Sequence, residues 1–290
     1  MTTIKVIYHG PICPDGWAAA YCAWEKLGDS AEYIPMNYGE EPWDYISQGD
    51  CLYILDFSFP RTIMLDLIEM CDEVICLDHH KSAQEALLGL NCAIFDMKKS
   101  GAMLAWEYWN PDVPAPDLIR YVQDRDLWQK ALPFNEEIYM GLREQTRSFE
   151  RWRELATMPN FVAQMRAVGE PLYLAKMEEV HDKADSAQWQ TIAGYKVLVV
   201  DDCRRYYSDV CHELLERYPE IAFSVAWRDE PDKNIRRWDF RSKGSFDVSE
   251  IAKSFGGGGH LNASGCQSEV GEFLWELNPQ SAAKLPEFSP

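Results

Sequence analysis

Four stretches of this chain, IKVIYH, CLYILDF, EVICLDHH and CAIFDM, are apolar almost without interruption. A strand that alternates apolar and polar residues can leave one face in water, whereas one that is apolar throughout has to be covered on both. Helical patterns between them, GWAAAYCAWEKLG, RTIMLDLIEMC and GAMLAWEYWN, supply the covers. With EYIPMN as a further strand, this βαβ rhythm predicts an α/β protein built on a doubly wound, mostly parallel sheet. Ligands of such sheets gather beyond the carboxyl ends of the strands.

At 290 residues the chain is near the length at which one core gives way to two domains. The rhythm defines a first domain over residues 1–134, closed by the proline-stiffened PDVPAPD and the helix LIRYVQDRDLW. Residues 135–190 read as a helical linker. A second, smaller α/β domain is expected over 191–275, from YKVLVVDD through IAFSVAWRD and IRRWDFRS to DVSEIAKSF and GGGGH, with a polar tail over 276–290.

No apolar run approaches the roughly 20 residues of a membrane-spanning helix, and MTTIKVIYHG lacks the sections of a signal peptide, so a cytoplasmic location and no membrane partner are expected. Nine cysteines without a CxxC pair suit reduced thiols better than a disulfide framework. The net charge of -19 opposes long duplex nucleic acid and leaves a short oligonucleotide or small nucleotide as the expected partner.

Residues able to hold a metal recur at the element ends: His9, Cys13 and Asp15; Asp56; Asp78, His79 and His80; Asp124 and Asp126. Singly, Asp56 reads as a helix cap, Asp78 to His80 as a loop, and Asp124 and Asp126 as a solvated helix face. Together they converge on one sheet edge. Carboxylates and imidazoles without a set of cysteines suit Mn²⁺ or Mg²⁺, and two such ions about 3.5 to 4 Å apart can activate a water for in-line attack on phosphorus.

These residues resemble the motifs of the DHH phosphoesterase family, of the type with a C-terminal DHHA1 domain. Its first motif, His, three residues, Asp, one residue, Asp, is matched by His9, Cys13 and Asp15; its second by Asp56; its third by Asp78, His79 and His80; its fourth by Asp124 with Trp128. GGGGHLNASG, Gly256 to Gly265, matches the DHHA1 signature. The resemblance implies one metal site of His9, Cys13 and Asp56 and another of Asp15, Asp56, His79 and Asp124, bridged by Asp56. Asp78 would orient a histidine, His80 would face the substrate, and Asp126 would be the lesser of its pair. The implied cofactor is divalent metal, Mn²⁺ first and as two ions, with Mg²⁺, Co²⁺ or Fe²⁺ as alternatives. Cys13 stands where the family usually has aspartate. It is either a thiolate ligand that softens its site toward iron or zinc or a small buried filler.

One glycine would stop the helix DVSEIAKSF; four leave backbone bare enough for an anion-binding nest. By the resemblance Gly256, Gly257, Gly258, Gly259 and His260, with Arg241, hold the phosphate or nucleotide, although His260 also has a purely structural reading. The implied function is a metal-dependent phosphoesterase acting on short oligonucleotides or small nucleotides through metal-activated water, oligoribonuclease-like first. A pyrophosphate or polyphosphate hydrolase and a nucleotide-binding regulator with a degenerate metal site are the alternatives. The resemblance leaves room for a homodimer.

Overall fold

The structure, a computed structural model, describes residues 3–10 and 13–277, so nearly all of the expected tail lies outside the described residues. The chain divides into two compact units, Met1–Tyr173 and Leu174–Pro290.

In the first unit, β1 (Ile4–His9), β2 (Ala31–Met36), β3 (Cys51–Leu55), β4 (Glu73–Asp78) and β5 (Ala93–Phe95) form one sheet in the order β2-β1-β3-β4-β5. Every pairing is parallel. The strands alternate between two cores, as their continuous apolarity requires. Val6, Tyr8, Leu55 and Leu77 join α1 (Pro14–Leu27), α4 (Gly101–Trp109) and α5 (Asp117–Asp126) on one side. Ile7, Ile54 and Cys76 join Met64 and Leu67 of α2 (Arg61–Met70) on the other. α3 (Lys81–Ala86) follows β4. Pro35 sits in edge strand β2, where a missing N–H breaks no central ladder.

The segment read as a linker is helical, and its first part is wall rather than spacer. α6 (Asn135–Arg143), α7 (Phe149–Ala156) and the start of α8 (Phe161–Asp185) bury Ile138, Leu142, Trp152, Leu155, Phe161 and Met165 in the same core as α1 and α4. The boundary between the units falls inside α8.

Strand order reverses between β1 and β3, the switch point at which an open α/β sheet leaves a crevice at its carboxyl edge. His9 ends β1, Asp56 follows β3 and Asp78 ends β4. α4 begins hard against this edge: a Cβ on Gly101 would lie 2.3 Å from Asp56 Cβ, and one on Gly16 would lie 1.8 Å from the His9 carbonyl oxygen. Only glycine allows either approach.

The second unit is a mixed sheet, ordered β10-β11-β9-β8-β7-β6. Its strands are β6 (Gln188–Ile192), β7 (Tyr195–Val200), β8 (Phe223–Glu230), β9 (Ile235–Ser242), β10 (Gly258–His260) and β11 (Ala263–Glu269). β7 and β8 are parallel and the other pairs antiparallel. α9 (Tyr207–Arg217) packs with Leu198, Val200 and Ala226 on one face, and α10 (Val248–Ser254) with Val225, Trp238 and Phe240 on the other. Part of the glycine run, read from the sequence as bare backbone after a helix, is strand β10, paired with β11. Among the described residues no helix is long and apolar enough to cross a membrane.

The Gly101 contact yields a test. Gly101→Ala should destabilise the protein by about 1–3 kcal/mol, the usual penalty of overpacking a tight site, and should lower metal retention by displacing Asp56. Urea unfolding with metal analysis checks both, and an unchanged midpoint would contradict the close approach.

Candidate metal centre

Asp56 is almost wholly buried, and its backbone is left-handed at φ 54, uncommon for a residue with a Cβ. Its N–H donates to the Leu77 carbonyl at 2.9 Å, which fixes the turn out of β3. The two carboxylate oxygens face different partners. Oδ2 lies 3.5 Å from His9 Nδ1 and accepts from Cys13 Sγ at 3.5 Å. Oδ1 lies 3.0 Å from His79 Nε2.

A second set surrounds that imidazole nitrogen: Asp126 Oδ2 at 3.5 Å and Asp15 Oδ2 at 3.8 Å from His79 Nε2. Asp15 is rigid, because it accepts from the Gly101 and Ala102 N–H groups at 2.6 and 3.1 Å, at the N-terminus of α4. That end of a helix attracts an anion. Asp78 organises its neighbours: Oδ1 accepts from the N–H of His79 at 2.7 Å and of His80 at 3.2 Å, and lies 2.7 Å from His80 Nδ1. His80 Nε2 is left without a protein hydrogen bond among the described residues.

Burial and crowding set the protonation states. Burial alone would raise the Asp56 carboxyl, but the hydrogen bonds of His79 and His9 and the charges of His79 and His80 outweigh it and hold Asp56 below the usual carboxylate range. Burial, reinforced by Asp56 and Asp126, pushes Asp15 well up. Asp126 is pushed up to about 6, by desolvation and then by Asp56, against the opposing charges of His79, His80 and Arg125. Burial, then the nearby carboxylates, drives the Cys13 thiol strongly upward, so Cys13 is a neutral thiol that becomes a ligand only by losing its proton to metal binding.

Three carboxylates drawn together with too little opposing charge form a site that fits divalent cations. The sets His9, Cys13, Asp56 and Asp15, His79, Asp126 each bring three donor atoms within 4.8 Å of one another, as do Asp56, His79 and His80. Asp56 touches both of the first two sets.

The structure corrects one assignment within the fourth motif. Asp124 lies apart from the donor sets: buried, it accepts from the N–H of Ala131 at 2.9 Å and of Leu132 at 3.1 Å and from Asn135 Nδ2 at 2.7 Å. Its carboxylate staples the loop after α5, and Asp126 faces the centre instead. Two residues apart on a helix, the two acids point to different sides.

In the second unit a cavity of about 530 Å³ lies against Gly256, Gly257 and Gly258. Arg228 and Arg237 line it, whereas Arg241, Gly259 and His260 do not. The Arg241 guanidinium donates to Ser208 Oγ at 3.1 Å and to the Phe240 carbonyl at 2.8 Å. His260 is exposed at the end of β10. A Cβ on Gly257 would lie 2.1 Å from the Gly265 carbonyl, while Gly258 has open space beside it, so the run leaves one stretch of backbone open to the cavity. Strand alternation in IRRWDFRS places Arg237 on the same face as Arg241 and was the available signal for it. Tyr38, its ring 5.3 Å from that of His9 and 5.8 Å from that of His80, follows β2 and carried no signal.

No family model matches the sequence. The chain is 31% identical over 282 residues to the uncharacterised protein R106 of Acanthamoeba polyphaga mimivirus, covering 90% of this chain and 66% of that protein, so it spans just under two thirds of that relative's length. Among solved structures it is similar to RecJ from Thermus thermophilus in complex with Mn²⁺, with a TM-score of 0.55 and 18% identity over 92% of this chain and 49% of RecJ. It is also similar to PggH, a pGpG-specific phosphodiesterase from Vibrio cholerae, with a TM-score of 0.52 and 13% identity over 93% of this chain and 94% of PggH. The fold is that of the DHH phosphoesterases.

The two aspartates of α5 should behave oppositely. Asp124→Ala should lower stability by roughly 3 kcal/mol, since it strands the buried Asn135 amide and two loop N–H donors. Asp126→Asn should stabilise the metal-free protein by removing a crowded charge, yet reduce bound Mn²⁺ after dialysis. Metal loss confined to the Asp124 variant, with its melting temperature unchanged, would reverse the assignment.

Proposed function

On this fold we propose a metal-dependent phosphoesterase that hydrolyses short oligonucleotides or small nucleotides. The observation that carries the reading is Asp56, one carboxylate facing two donor sets. His9, Cys13 and Asp56 would hold one ion, and Asp15, Asp56, His79 and Asp126 the other. Divalent cations bound there would supply Lewis acidity for phosphoryl oxygens and ease deprotonation of an attacking water. Mn²⁺ suits the oxygen-rich second set, while the sulfur of Cys13 softens the first toward iron or zinc.

The chain's own groups do the rest. The α4 N-terminus and Asp15 fix the floor of the site, and Asp78 fixes the His80 ring through Nδ1. His80 Nε2 is then the atom able to pass a proton to the departing oxygen. The cavity beside the glycine run suits a phosphate or nucleotide, bound by open backbone and by Arg228 and Arg237. Their present partners, Asp239 and Glu230, would compete with that ligand. The -19 net charge favours short substrates over long nucleic acid. PggH acts on pGpG, a linear dinucleotide, and linear dinucleotides lead the expected substrates here.

The test is hydrolysis of linear dinucleotides including pGpG, cyclic dinucleotides, 3′-phosphoadenosine phosphate and pyrophosphate with Mn²⁺, Mg²⁺, Co²⁺ and Fe²⁺. Linear dinucleotides should turn over best with Mn²⁺, and chelation should abolish the activity reversibly. Cys13→Asp should shift preference toward Mn²⁺ or Mg²⁺. Absence of turnover with every metal would overturn the reading, and preference for pyrophosphate would replace it with anhydride hydrolysis.

A further inference from the structure

We propose that Arg125 binds a phosphoryl oxygen of the substrate beside the metal centre, held for that task in an aromatic clamp. The proposal rests on the phosphoesterase reading and assigns a substrate contact to the first unit. A pocket of about 220 Å³, lined by Arg125, Trp128, Tyr139 and Val122, opens onto Asp15 and Asp126. The Arg125 guanidinium carbon lies over both aromatic rings, 4.0 Å from the centre of Trp128 and 4.7 Å from that of Tyr139. Such cation–π contacts fix the plane of a guanidinium while leaving its N–H edge available.

The donors of this side chain are uncommitted. Arg125 is only 14% exposed, yet its guanidinium donates no hydrogen bond among the described residues, and Nε is buried without an acceptor. The Glu136 carboxylate stands 3.6 Å from Nε, beyond hydrogen-bond reach, and pairs at 2.9 Å with Lys130. A countercharge role for Arg125 would predict a closer pair. A buried donor left open, as Nε is here, costs stability, and the arginine fork matches two oxygens of a phosphate.

The loop that completes the clamp is built at some expense. Trp128 and Lys130 both adopt left-handed backbone, at φ 54 and 49, a conformation that persists only where its surroundings impose it. The imposing group is Asp124, which ties down Ala131, Leu132 and Asn135 a few residues on. Asp124 thus acts on the centre at one remove, by placing Trp128 over Arg125. An anion near Asp15 and Asp126 needs positive charge beyond that of the histidines. Arg125 supplies it from the same end of α5 that supplies Asp126.

The test compares Arg125→Met and Arg125→Lys with the wild type in Mn²⁺-loaded protein. Binding of orthophosphate is measured by equilibrium dialysis, alongside bound Mn²⁺, melting temperature and kcat/KM on a dinucleotide. Arg125→Met should bind phosphate roughly 10- to 100-fold more weakly, the range of a charge-assisted contact, with wild-type Mn²⁺ content. Arg125→Lys should fall between the two, since an ammonium keeps the charge and loses the fork. Wild-type phosphate affinity in both variants would overturn the proposal. So would wild-type affinity in Arg125→Lys combined with a destabilised, metal-depleted Arg125→Met, which would make Arg125 a structural countercharge. Weakened phosphate binding in variants of a protein that hydrolyses no phosphoester would uphold the assignment while the phosphoesterase reading falls.

Discussion

The Asp56 carboxylate is the contact on which the candidate centre depends. Its left-handed backbone turns the chain out of β3 so that one oxygen faces His9 and Cys13 from the end of β1 and the other faces His79 from the end of β4. The geometry is imposed from two sides. The Leu77 carbonyl holds its N–H, and Gly101 lets α4 press directly on its side chain. A parallel sheet ordered β2-β1-β3-β4-β5 brings these strand ends together at its switch point, so the topology and the donor set are one constraint seen at two scales.

The same arrangement stores electrostatic strain. Asp15, Asp56 and Asp126 converge on a single imidazole nitrogen, and burial, then the neighbouring carboxylates, pushes the carboxyls of Asp15 and Asp126 up. Cations that bind the folded centre and not the unfolded chain relieve that repulsion and stabilise the fold by mass action. Affinity for metal and stability of the first unit are therefore coupled. The coupling runs through residues that α4 and the Asp78 hydrogen bonds hold rigid before any ligand arrives.

Much of this was legible in the sequence, for a physical reason. Strands buried on both faces have to be continuously apolar, so IKVIYH, CLYILDF and EVICLDHH announced both the parallel sheet and the ends at which His9, Asp56 and Asp78 to His80 stand. What failed to show depends on direction in space rather than on residue type. Spacing alone could not tell Asp124 from Asp126, since only the loop after α5 reveals which carboxylate is taken by backbone donors. Arg241 stood out by its place before the glycine run, but strand register and the Ser208 hydroxyl decide that Arg237 lines the cavity. The helices after residue 134 carried no strand signal and so read as a spacer, although α6 and α7 bury Ile138, Trp152 and Leu155 in the core of the first unit.

If one carboxylate serves two donor sets, two Mn²⁺ ions have to lie close enough for their spins to couple. Electron paramagnetic resonance of the Mn²⁺-loaded protein, with metal content measured on the same sample, tests this directly. The account predicts two Mn²⁺ per chain and an exchange-coupled spectrum, replaced in Asp56→Asn by weaker binding and the signal of isolated ions. An uncoupled six-line spectrum from a fully loaded wild-type protein would contradict it.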